Sequence, residues 1–164
     1  MLTVERTITG TEPITLTEAK QYLRVLYDND DDVITQLITQ ARQILEQATA
    51  QSLIEQSISV TNDDYKDRFR LPYGPVTGVT TLKLTTSIWT TDILSTALIS
   101  NSLIVYEGTG ILTAEYTAGG IEQEGMKLAI LELIAHFFVN RGTDNNYPNS
   151  VRRWIMNHSL NTFA

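Results

Sequence analysis

The stretch 32–50, DVITQLITQARQILEQATA, carries the clearest pattern in the chain. Val33, Ile34, Leu37, Ile38, Ala41, Ile44, Leu45 and Ala48 recur at i, i+1, i+4, i+5, i+8, i+11, i+12 and i+15. This is one broad apolar stripe at a period of 3.6, the mark of an amphipathic helix with a single face in a core. Run from 32 to 50, such a helix is about 28 Å long. The aspartates at its start are expected to cap free amides and to meet the positive end of the helix dipole.

On its N-terminal side, Pro13 precedes Thr15-Leu16-Thr17-Glu18. That is a capping box, with the Thr15 hydroxyl accepting from the Glu18 amide and the Glu18 carboxylate reaching back. It predicts a short helix with Leu16, Ala19, Tyr22 or Leu23 on its apolar face, ending near Arg24 and Val25. An acidic loop follows: Asp28, Asn29, Asp30, Asp31, Asp32. All of the chain up to about residue 50 therefore reads as helical.

On its C-terminal side the composition shifts to Thr, Val, Ile and turn residues from about 53 to 117. Partial alternation over 53–61 (Ile54, Gln56, Ile58, Val60) predicts a strand. Phe69 and Leu71 precede a turn at Pro72-Tyr73-Gly74-Pro75, and 76–84 alternates again. Trp89, Ile93 and Leu94 sit in a Thr-rich excursion with no clear period. Residues 103–106 and 111–116 flank Glu107-Gly108-Thr109-Gly110 and are expected to form a hairpin. A second long stripe, Met126, Ala129, Ile130, Leu133, Ile134, Phe137 and Phe138, predicts a helix from 121 or 122 to 141, stopped by Gly142. A last short helix is expected over 150–158.

These segments predict an α+β fold that is mainly a helical bundle, two long helices and two short, packed with a small antiparallel β element. At 164 residues and 42% apolar content the chain is expected to be one domain, 1–164, with a C-terminal docking segment at about 148–164.

Composition excludes several functions. There are no cysteines, hence no disulfide framework, thiolate metal site or cysteine nucleophile. The two histidines, His136 and His158, are far apart. No basic n-region with an apolar run opens the chain, and no stretch of about 18 apolar residues occurs. A net charge of −7 argues against gripping nucleic acid through its phosphates, though not against a wall that DNA merely passes. Asp28, Asp30 and Asp32 share the opening spacing of a calcium loop, but the required Gly and Glu fall at Val33 and Thr39. Gly108-Thr109-Gly110 lies between strands, where a dinucleotide loop needs a following helix. His136 reads as a core-edge side chain, and Glu122, Glu124 and Glu132 as ordinary helix carboxylates. No catalytic, metal or cofactor site is expected. Arg152-Arg153-Trp154 pairs two cations with an aromatic near the chain end, which suits docking to a partner or, equally, Trp154 covering the domain.

The ordered segments resemble the head–tail connector (adaptor) proteins of long-tailed bacteriophages and prophages. ITLTEAKQYLRV (14–25) resembles the family's opening helix, and DDDVITQLITQARQILEQATAQSLIEQ (30–56) its long second helix and following strand. LPYGPVTGVTTLKL (71–84) resembles its proline-bearing strand turn and AEYTAGG (114–120) the strand end before the third helix. MKLAILELIAHFFVNRG (126–142) resembles that helix with its His-aromatic-aromatic and Asn-Arg ending. The resemblance implies a structural virion protein, not an enzyme and without a cofactor. It implies a ring, twelvefold like the portal above it, that extends the DNA channel and offers a platform to a stopper or tail. DNA would pass without specific binding, no membrane would be involved, and assembly would take place in the bacterial host cytoplasm. The family's C-terminal segment reaches toward the portal; the corresponding positions are Val151, Arg152, Arg153, Trp154, Ile155 and Met156. A ring needs two different patches per subunit. One candidate pairing sets Asp28, Asp30 and Asp31 against Lys66, Arg68 and Arg70 of a neighbour. The competing expectations are another head-completion or tail-completion protein of similar build and, further off, a small ligand-binding domain or enzyme.

Overall fold

The structure is a computed structural model that describes residues 1–63, 68–95, 98–100, 103–105, 109–140 and 146–159, the stretch 98–100 in backbone only. The helices are α1 (Leu16–Leu23), α2 (Asp31–Thr49), α3 (Met126–Asn140) and α4 (Asn149–His158). The strands are β1 (Leu2–Ile8), β2 (Gln56–Asn62), β3 (Arg68–Arg70), β4 (Val76–Thr85), β5 (Thr90–Asp92), β6 (Leu98–Ser100), β7 (Leu103–Val105) and β8 (Ile111–Ala118). They fall into two compact units. Met1–Gly10 with Ile54–Ile121 form a sheet unit, and Thr11–Leu53 with Glu122–Ala164 form a helical unit.

The helical unit follows the sequence closely. The capping box is present: the Thr15 amide donates to Glu18 Oε2 at 2.7 Å and the Glu18 amide to Thr15 Oγ1 at 3.2 Å. α1 stops at Arg24, which turns left-handed at φ 58° and returns its amide to the Gln21 and Lys20 carbonyls. Ile34, Leu37, Ile38, Ala41 and Leu45 of α2 are buried with Met126, Ala129, Ile130, Leu133, Ile134 and Phe137 of α3 in one cluster. Each large aliphatic side chain so buried contributes about 1.5–3 kcal/mol. The stripe's margins, Val33 and Ala48, remain exposed. Asp30 takes the N-cap position of α2 but, contrary to expectation, makes no side-chain cap bond; its neighbours Asp28 and Asp31 accept from Lys20 instead. α3 begins at Met126, later than expected, after Gly125 at φ 73°. Its stop at Arg141 and Gly142 lies outside the described residues.

The helical unit also buries charge. Arg42 and Glu46 are each 1% exposed. Arg42 Nε donates to Glu12 Oε2 at 2.8 Å and Arg42 Nη1 to Glu46 Oε2 at 2.9 Å. Glu46 Oε1 accepts the Leu53 amide at 3.0 Å, and Glu12 Oε1 accepts the Thr39 hydroxyl at 3.1 Å. Residues 12 and 53, near the two ends of one chain stretch, are thus tied to the middle of α2.

The sheet unit overturns the expectation of a mainly helical bundle with a small β element. Among the described residues it holds eight strands: a five-stranded sheet in the order β1-β2-β8-β4-β5 and a three-stranded sheet in the order β3-β7-β6. Every pairing is antiparallel. Side chains alternate in the central strands. Ile58, Val60, Leu112, Ala114, Tyr116 and Ala118 point into a core completed by Leu71, Leu82, Leu84, Ile93 and Ile104. Ser57, Ser59, Thr61, Thr113, Glu115 and Thr117 line the other face. The Thr residues of β4 serve this face through cross-strand bonds, Thr77 to Thr117 at 3.0 Å and Thr81 to Glu115 at 2.9 Å.

Two further expectations fail here. Residues 2–8 are a strand rather than part of a helical first section, and β1 forms an edge of the large sheet in full register with β2. The hairpin joining 103–106 to 111–116 does not form. β7 pairs with β3 and β6, whereas β8 pairs with β2 and β4. A turn sequence sets local geometry only; partners distant in sequence choose the pairing.

Candidate interaction surfaces

α4 carries the residues expected to dock. Val151 is fully buried and Trp154 is 8% exposed, both in the helical core. The Trp154 indole N–H donates to the Glu124 carbonyl at 2.9 Å, and the ring stacks on His158 with centroids 4.4 Å apart. Gly125 passes so near that a Cβ there would lie 3.4 Å from Trp154 Cδ1. The Gln51 amide group donates to the His158 carbonyl and accepts from Gln123, fastening the end of the helix. Trp154 is therefore a strut within its own unit. Ile155 is half-buried, and Arg152, Arg153 and Met156 form the exposed face, with the Arg152 guanidinium bonded to Asn146.

Of the proposed intersubunit charges, Asp28 and Asp31 converge on Lys20 Nζ at 2.7 and 2.6 Å. Donating hydrogen bonds to Asp28 and then Asp31 holds the Lys20 ammonium above its ordinary range, and accepting from Lys20 holds Asp28 below the usual carboxylate range. Asp30 is half-buried beside them. Arg68 and Arg70 are exposed on β3, and Lys66 lies outside the described residues. The structure thus satisfies part of the acidic loop within the chain.

Two apolar features were given no functional role by the sequence. The β4–β5 turn presents Ile88 and Trp89, which are 88% and 61% exposed. Thr86 fixes that turn. Its amide donates to the Trp89 carbonyl at 2.8 Å, and its hydroxyl accepts the Ile88 and Trp89 amides at 3.3 and 3.2 Å. In the helical unit, α1 and the residues after it frame a cleft of about 530 Å³, lined by Thr17, Lys20, Gln21, Arg24, Val25 and Leu26. Leu26 on its wall is 92% exposed, and the next residue, Tyr27, is 64% exposed.

His136 is half-buried, edge-on to Phe137 and 3.1 Å from Asn140. Ser150 donates to Glu132, and Lys127 lies 3.9 Å from Glu122. Among the described residues, no group of three or more acidic, His or Cys side chains could hold a metal ion, and no helix is long and apolar enough to cross a membrane.

Comparison with known proteins bears on what these surfaces serve. Solved structures share the fold, among them three from gene transfer agent particles. One is the neck of an empty gene transfer agent particle, computed with C6 symmetry: TM-score 0.73, 18% identity, 94% of this chain and 95% of that one. The second is the virion of a native gene transfer agent particle: TM-score 0.76, 20% identity, 97% and 95%. The third is the neck of a native particle computed with C12 symmetry: TM-score 0.68, 18% identity, 94% of each chain. No curated protein matches the sequence. The head completion protein family matches residues 12–151, a span that begins at the carboxylate anchoring Arg42 and ends in α4. The chain belongs to the head completion protein (HCP) family: it is a structural protein of a phage-like virion and not an enzyme.

Proposed function

We propose that this chain is the adaptor of the virion neck, a ring of twelve copies stacked beneath the portal that extends the DNA channel and seats the stopper or tail. The observation that carries the reading is the fold shared, over nearly the whole chain, with proteins of particle necks reconstructed with C6 and C12 symmetry. The net charge of −7 supports it, since a like-charged wall lets DNA slide without sticking. In this reading the exposed α4 face, Arg152, Arg153 and Met156, meets the portal. Val151, Trp154 and Ile155 hold that face in place from within. The Asp30 corner and the Arg68–Arg70 strand remain a charge pair offered between neighbours, alongside Lys66.

The test is mass in solution by light scattering on a size-exclusion column, first alone and then with the portal of the same genome. A ring, or a complex with the portal, is expected. A single chain that ignores the portal overturns the reading. Arg152→Glu with Arg153→Glu should abolish co-elution with the portal while leaving the melting temperature near that of the wild type.

A further inference from the structure

The Ile88–Trp89 tip and the α1 cleft are opposite in shape and alike in chemistry. The tip is convex, apolar and held rigid by the Thr86 bonds, so little conformational freedom is lost when it is covered. Its flanks, Thr86, Ser87, Thr90 and Thr91, carry no charge that burial would strand. The cleft sets Val25 and Leu26 beside the polar side chains of Thr17, Lys20, Gln21 and Arg24, with Lys20 already paired to Asp28 and Asp31. It is an open surface cleft of about 530 Å³. Arg24 on the rim offers a guanidinium to the indole face, and Gln21 and Thr17 offer acceptors to the indole N–H. Within one copy both features stay open: Ile88, Trp89, Leu26 and Tyr27 are all largely exposed. Large apolar groups clustered on a surface in this way mark contact sites.

Two unlike, complementary patches on one chain are what a head-to-tail contact requires, and repetition of such a contact gives a ring where the rotation between copies closes. We propose that copies of this chain join head to tail by seating the Ile88–Trp89 tip of one copy in the Arg24–Val25–Leu26 cleft of the next. The proposal rests on the ring reading above and names the contact that builds the ring. Trp89 is its central anchor, in keeping with the weight that buried Trp carries at interfaces.

The test uses two exposed substitutions, Trp89→Lys on the tip and Leu26→Asp in the cleft, under the condition, alone or with the portal, in which the wild type assembles. Each variant by itself should fall from ring mass to the 18.4 kDa of a single chain, with its melting temperature unchanged. Mixed in equal amounts, they should form a species of twice that mass and nothing larger, because the mixture has one intact tip and one intact cleft to pair. The absence of native cysteine allows a second measurement. A Ser87→Cys, Gln21→Cys double variant, oxidised in the assembled state, should give a ladder of disulfide-linked multimers, and each single variant none beyond a dimer. Variants that still form rings, or an assembled double variant that gives no ladder, overturn the proposal while the ring stands. So does Trp89→Lys losing the portal but keeping ring mass, which would place the tip on the portal. A wild type that never exceeds single-chain mass overturns the ring reading and this contact together.

Discussion

The deepest side chains of the two units differ in kind. In the helical unit they include Arg42 and Glu46, each 1% exposed and joined at 2.9 Å. In the sheet unit the largest fully buried side chain is Tyr116, neutral, with its hydroxyl donating to the Pro72 carbonyl at 2.5 Å. No charged residue is buried in that unit among the described residues. The units solve one problem differently. Antiparallel strands satisfy each other's backbone across long sequence separations, so the ladder itself ties the sheet unit together. Helices satisfy only their own backbone, so chain segments leading into and out of α2 need another fastening. Glu12 and the Leu53 amide find it in the Arg42–Glu46 pair. A buried pair adds little over a well-packed apolar substitute, but losing one partner strands the other.

That contrast is tested most severely at Arg42. Arg42→Met removes the guanidinium bonded to the buried Glu46, and Glu12 loses its bond as well. We expect a loss of about 3–5 kcal/mol, a melting-temperature fall on the order of 10 °C for a chain of this size. Glu46→Gln should cost clearly less, because its amide oxygen can still accept the Leu53 amide. Thermal unfolding of both variants reads the difference, and equal, small shifts would show that the pair does not fasten the unit. In the sheet unit the matching blow falls on packing. Gly110→Ala places a Cβ 2.6 Å from the Thr85 carbonyl oxygen, which is backbone and cannot swing aside. A cost of about 1–3 kcal/mol is expected, and an unchanged melting temperature would contradict the close approach.

Tyr116 sharpens the comparison at high pH. Burial is the main cause holding its hydroxyl above the ordinary phenol range; Tyr73 adds to this and Arg6 opposes it. The native state therefore keeps a proton that the unfolded chain releases near pH 10. The stability this represents is complete below about pH 10 and is lost as pH rises toward the raised native value. Tyr116→Phe removes that slope, along with about 1 kcal/mol for the hydrogen bond to Pro72. Denaturant midpoints between pH 8 and 11 for the two proteins should converge as pH rises; parallel lines would mean the hydroxyl titrates freely.

The same contrast explains what could be read from the sequence. Helix packing is legible because its period is local: the α2 stripe and the α3 stripe name most of the helical core, though not Ile14, Ala19, Leu53, Val151 or Trp154. Arg42 and Glu46 interrupt that stripe, and their meaning depends on Glu12, thirty positions away in sequence for Arg42. Strand pairing is a property of distant partners, so β7 and β8 looked like one hairpin and belong to two sheets. β1 did leave a signal. Leu2, Val4 and Ile8 alternate with Thr3, Glu5 and Thr7, but Arg6 occupies the third position on the apolar side, where it lies 4.2 Å over the Tyr73 ring. Arg152, Arg153 and Trp154 were visible as a cluster, yet only burial distinguishes the strut Trp154 from the exposed arginines. Ile88 and Trp89 were hidden for a third reason: their prominence comes from Thr86 folding the turn beneath them, a cap that no period announces.

The smallest expected effect lies at the corner between α1 and α2, where the helical unit uses charge at the surface rather than in the core. Lys20 holds Asp28 and Asp31 across the loop that leads from the cleft into α2. Because the folded state keeps Asp28 below its ordinary range, its contribution is present above about pH 4, where unfolded aspartate is ionised. It is lost as pH falls through the lowered native value. Asp28→Asn should therefore lower the melting temperature slightly at pH 7, and the gap from the wild type should close as pH falls toward 3. Added salt should shrink the gap at pH 7, since Asp28 is open to solvent and its attraction to Lys20 is screened. Arg42 and Glu46, shielded from solvent, should show no such salt dependence. If salt moved Arg42→Met as much as Asp28→Asn, the distinction between a buried fastening and a surface one would fail.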